Sequence, residues 1–272
     1  MSISDRDYDS RLSFGTTVNP LVVLIAISMI LFVILAFFKA IIYVFMPEGG
    51  AVTENFNRNV LSWFALSSDP AKAIARPWTF LTYSLVHLQI WPLFANMLWL
   101  WSFGYIFIDL TGNRKLIPMF IYGTLFGAAA FLLVAKFTSA GQDASGLFHY
   151  YGSAPAILAI AIAATTISPG YKVLPVLGGG FSLWILTVIF LVVDLAGLSP
   201  GNAPILVSHI AGALSGVLFI LILRRGYDGS EWMNACYDWF MNLFNPDKTR
   251  SKIGLASRSS LFYHTPGLPY RK

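Results

Sequence analysis

The stretch APILVSHIAGALSGVLFILIL, Ala203–Leu223, runs for 21 residues without a Lys, Arg, Asp or Glu. A helix rises 1.5 Å per residue and needs about 20 apolar residues to cross a bilayer, so this run reads as a membrane span. Its one ionisable group is His209. An ionisable group in lipid is costly enough to need a reason. Gly212 and Gly216 follow at three and seven residues, four apart on one helix face, where they let a neighbouring backbone approach closely. The unit is a span that carries a polar group beside a packing face, spaced His-x-x-Gly-x-x-x-Gly.

Outward from this run, four others are long enough to span: Leu21–Met46, Leu93–Leu110, Leu116–Val134 and Phe181–Leu198. A sixth, Ala154–Ile167, has only 14 residues, but it is Ala-rich and continuously apolar, as suits a helix enclosed by other helices. Ser153 and Pro155 suit its N-cap and first turn, and Ser168-Pro169-Gly170 ends it. The fold class expected is an all-α membrane protein, a six-helix bundle over 21–224 between an N-terminal tail, 1–20, and a C-terminal tail, 225–272.

Composition agrees: 56% of residues are hydrophobic and 11% charged, against about 25% charged in soluble domains. Several of the aromatic residues flank the apolar runs as interfacial belts do. The first 20 residues include three Asp and lack the features of a signal peptide, so the first span is expected to be kept. The single cysteine, Cys236, excludes an internal disulfide and a cysteine-based metal cluster. No metal or cofactor is expected.

The net charge of +5 is read as a topology signal and not as a nucleic-acid footprint. Thirteen Lys and Arg fall on the side that holds both termini, four (Arg58, Lys72, Arg76, Lys136) on the other, and Lys39 lies within the first run. Both ends are therefore expected in the cytoplasm, which requires an even number of spans and so supports counting the short one. Pro47–Pro77 is expected to form an interfacial hairpin. In the tail, Trp232, Met233, Cys236, Trp239, Phe240, Leu243 and Phe244 recur at helical spacing, as in a helix lying on the membrane surface, and beyond Pro246 the chain is polar and basic. No internal repeat of the transporter kind is present.

Three polar or small sites fall in one layer. Asn96 lies five residues past Trp91, or about 8 Å deep, His209 is at a similar depth, and Ser153 with Ala154 opens the short span from the same face. A serine beside a histidine is the minimum for acyl transfer, and an amide donor can stabilise the oxyanion. Taken singly, each has a plainer reading: His or Asn as an interhelical hydrogen-bonding group, Ser153 as an N-cap. Asp194, at the outer end of the fifth span, is read as a hydrated structural group, and Gly123 with Gly127 as a packing face.

Order and combination add more. The pattern around His209 resembles the last core helix of the rhomboid intramembrane serine proteases. Arg76–Tyr83, His87, Asn96, Met97–Trp101 and Gly104 resemble that family's second helix, and Gly152–Ile160 its serine-bearing helix; the resemblance covers Arg76–Leu223. It implies His209 as general base, Asn96 as oxyanion donor, His87 as a structural polar group and Ser153 as the candidate nucleophile. It also implies a transmembrane protein as substrate or client, in a bacterial inner (cell) membrane. The chain departs from the family pattern, Gly-x-Ser, by reading Gly152-Ser153-Ala154, which puts alanine at the nucleophile position. Pro92 stands where the family has a second histidine, and Pro204 and Ile205 where a glycine pair precedes the base. The resemblance therefore implies either a protease with a rearranged dyad or an inactive relative that binds membrane helices.

Overall fold

A computed structural model of the chain describes residues 19–45, 49–138, 149–173, 179–198 and 202–243. Met46, most of both tails and Phe244 lie outside the described residues, with the expectations that fall on them. The helices are α1 (Pro20–Phe45), α2 (Gly49–Asn59), α3 (Pro70–Ala75), α4 (Thr79–Thr82), α5 (Ile90–Thr111), α6 (Leu116–Ala135), α7 (Ala154–Ile167), α8 (Leu183–Ala196), α9 (Ala203–Arg224) and α10 (Glu231–Leu243). Two short antiparallel pairs join them: β1 (Leu66–Ser67) with β2 (His149–Tyr150), and β3 (Lys172–Val173) with β4 (Phe181–Ser182).

Helices α1, α5, α6 and α9 are long and apolar enough to cross a membrane. Helices α7 and α8 are apolar but have 14 residues each. For α7 this matches the sequence expectation to the residue. The run Phe181–Leu198, by contrast, reads longer than the helix it forms. Phe181 and Ser182 are taken into β4, paired with β3, and the helix stops at Gly197, whose N–H bonds back to Val193 and Asp194. Within Pro47–Pro77 the described chain forms α2, β1 and α3 instead of open loop.

The short helix α7 is the centre of the molecule. Pro155–Ala161, Ala163 and Ala164 are all buried, because small side chains let neighbours close in from every side. A Cβ on Gly212 would stand 2.3 Å from the carbonyl oxygen of Pro155, and one on Gly216 would stand 2.3 Å from that of Ala159. Helix α9 therefore lies backbone to backbone on α7. Both partners advance by four residues, so the two helices run parallel. On another side Gly123 of α6 faces Ala159 and Ala156. In lipid, where apolar burial from water no longer drives association, such close approach supplies the packing energy between helices.

Helices α1, α5 and α8 form an outer layer. Phe190 of α8 packs against Trp99 and Phe103 of α5, with ring centroids 4.9 and 5.4 Å apart. Leu21 of α1 meets α5 at Gly104. Large apolar side chains elsewhere on α1 and α8, such as Ile30, Val33, Trp184 and Val192, are exposed, as suits lipid-facing surfaces.

Candidate functional site

The turn before α7 sets the geometry. Tyr150 is held in β2 against Leu66, and the N–H of Gly152 donates to the carbonyl of Tyr83 at 3.0 Å. Gly152 adopts φ +122°, a conformation that a side chain would strain. The chain thus swings into α7 with Ser153 at the N-cap position, yet its hydroxyl makes no cap bond. It faces His87 instead, Oγ 3.4 Å from Nε2.

His87 is the hub of this cluster. Its Nδ1 lies 3.3 Å from the carbonyl oxygen of Leu85, which can only accept, so Nδ1 carries the proton and Nε2 is an acceptor. Asn96 donates to Nε2 at 3.1 Å. The resemblance implied His87 as a structural polar group; here it joins two of the three candidate site residues. Burial pulls its pKa from the ordinary 6.5 down to about 4, partly offset by the Leu85 carbonyl. The unfolded chain therefore binds a proton between those values that the folded chain does not. The stability tied to this neutral imidazole is present above pH 6.5 and is lost as pH falls toward 4. The thermal unfolding midpoint in detergent is expected to drop over that window, and His87→Asn to flatten the drop; an unchanged slope would contradict the assignment.

His209 is placed elsewhere. Its Nδ1 donates to Oδ2 of Asp194 at 2.7 Å, with both side chains largely buried. Asp194, expected to be hydrated, is instead largely enclosed: α8 ends and α9 begins at the same face, which brings the carboxylate onto the imidazole. The parallel register of Pro155 with Gly212, carried back one turn, sets His209 level with the turn ahead of α7. Next to it Ser208 donates to the hydroxyl of Tyr150 at 3.0 Å, and Tyr83 donates to the carbonyl of Thr124 at 2.8 Å, its ring centroid 5.0 Å from that of Tyr150. Burial raises both phenols above their usual range, so they act as neutral hydroxyls.

The polar layer is therefore divided. Ser153 and Asn96 meet on His87; His209 pairs with Asp194. Hydrolysis by a serine needs a hydroxyl that both a base and an acyl carbon can reach. Ser153 has 0% of its surface exposed, and the Asn96 amide is occupied by His87. Ala154, one residue on and turned by about 100°, is partly exposed but has no hydroxyl. Among the described residues no three His, Cys, Asp or Glu side chains gather as a metal would require.

Sequence reasoning did not join Asp194 to His209. The signal available was the short connection between the apolar runs Phe181–Leu198 and Ala203–Leu223, which forces their adjoining ends together. No curated protein matches the sequence. The Rhomboid domain matches residues 75–226, more than half of the 272, and this span holds α5–α9 and every polar group described above. By that match the chain belongs to the rhomboid family, membrane proteins that act on other membrane proteins within a bilayer.

Proposed function

We propose that the chain is a rhomboid relative that holds transmembrane helices of client membrane proteins without cutting them. One observation carries this reading: the Ser153 hydroxyl is wholly buried and turned to His87. Among the described residues, the hydroxyl that faces His87, that of Ser153, is buried. The bundle crosses the membrane six times, with α7 and α8 as the short spans and both termini on the inner side of a bacterial cell membrane. The thirteen-to-four distribution of Lys and Arg supports that orientation.

A second reading has one observation in its favour. The tautomer of His87 leaves an acceptor nitrogen facing Ser153, the arrangement of a base and a nucleophile. Proteolysis through that pair requires the turn at Gly152 to open and expose the hydroxyl. The two readings part in a reconstituted bilayer with a test transmembrane substrate whose helix is weakened by Gly and Pro. The substrate is expected to co-purify with the chain intact. Cleavage products that disappear in Ser153→Ala would support the protease instead.

A further inference from the structure

The segment after α9 carries a surface that the polar layer does not use. Six residues separate Arg224, the end of α9, from Glu231, the start of α10. At 100° per residue, Trp232, Cys236, Trp239 and Phe240 share one arc of α10, and Glu231, Asn234 and Asp238 share the opposite one. Trp232, Trp239 and Phe240 are each more than half exposed, as is the neighbouring Tyr237.

The opposite side of α10, and the indole N–H of Trp232 at its start, are tied to the bundle. Arg114 donates to Asp238 at 3.3 Å, and Lys115, next to it in the α5–α6 turn, pairs with Asp228 at 3.3 Å. Asp228 in turn accepts from the N–H and hydroxyl of Ser230, closing the turn ahead of the helix. Trp232 Nε1 donates to the hydroxyl of Tyr122 at 2.9 Å, and that hydroxyl donates to the carbonyl of Gly229 at 2.8 Å. Tyr122 stands six residues into α6, so α10 begins beside the first two turns of a membrane-spanning helix.

We infer that α10 is a strap seated in the membrane–water interface, its polar edge clamped on the α5–α6 turn and its aromatic face in phospholipid. Three observations select lipid as the occupant. The face begins level with Tyr122 within a span; it follows a membrane helix after six residues; and Trp and Tyr flanked by Arg224 and Arg225 suit the headgroup region. The inference rests on the membrane spans and holds whether or not the chain cleaves peptide bonds.

Cys236, the only cysteine of the sequence, lies exposed within the aromatic arc and takes an environment-sensitive fluorophore with no substitution. The full chain in phospholipid nanodiscs, one copy per disc, is compared with Cys236→Ser/Glu231→Cys labelled on the polar edge. The expected result is blue-shifted emission from Cys236, strongly quenched by lipids spin-labelled near the headgroup, and water-like, unquenched emission from position 231. Water-like emission from Cys236, or equal quenching at both positions, overturns the proposal. So does a Cys236 signal that is blue-shifted only when two copies share a disc, which assigns the face to a second chain.

Discussion

Gly216→Ala is expected to remove about 3 kcal/mol or more of stability, enough to leave little folded protein at elevated temperature in detergent. The added Cβ would stand 2.3 Å from the carbonyl oxygen of Ala159 and 3.1 Å from the N–H nitrogen of Ala163, both backbone atoms of the most buried helix. A flexible side chain could swing aside; a helix backbone cannot. Overpacking in a close-packed interior commonly costs about 1–3 kcal/mol, and a clash with backbone belongs at the upper end or beyond. Relief requires α9 to move off α7, which also shifts His209, two turns earlier on the same helix. Gly170→Ala, where nothing lies within 4 Å of the new atom, is the matched control and is expected to be near neutral. Equal unfolding midpoints for the two variants would show that α7 and α9 are not in backbone contact.

The second large effect is a gain. Ala154→Ser places a hydroxyl on the first residue of α7, at a partly exposed position where the resemblance to the family implies a nucleophile. His209, level with that turn and anchored through Nδ1 by Asp194, has Nε2 left to take the proton. A serine-directed phosphonate is expected to label Ala154→Ser, and labelling is expected to slow by about a hundredfold when His209→Ala is added, since base assistance is typically worth about 100- to 10,000-fold. Asp194→Asn should slow it less, because the acid only orients the base. If labelling of Ala154→Ser is indifferent to His209→Ala, the Asp194–His209 pair is not a base for this position.

Much of the architecture was legible because lipid imposes strict rules. An apolar run of about 20 residues with at most one charge has few other readings in a chain of this composition, and four such runs became α1, α5, α6 and α9. Ser153, Pro155 and Ser168-Pro169-Gly170 marked both ends of α7, and the glycines after His209 marked the face that lies against it. The fifth apolar run was read too long because hydropathy does not distinguish Phe181 and Ser182 in a strand from the same residues in a helix. The site was legible as a set of residues but not as a set of partners. Spacing along helices put Asn96, Ser153 and His209 at one depth. The pairing depends on rotation about each axis: Gly152 at φ +122° turns Ser153 toward His87, and the α8–α9 hairpin turns Asp194 toward His209. The short connection after the fifth run brings Asp194 and His209 to one end, but the order of residues does not set the rotation of either helix about its axis.

The central claim is that the Ser153 hydroxyl is closed to an electrophile while the protein is folded in a bilayer. Reaction of the wild-type chain with a fluorophosphonate probe, against Ser153→Ala under the same conditions, tests it directly. Wild type and Ser153→Ala are predicted to give the same background signal. Labelling of the wild type that is lost in Ser153→Ala would mean that Ser153 is an exposed nucleophile and the chain an active protease.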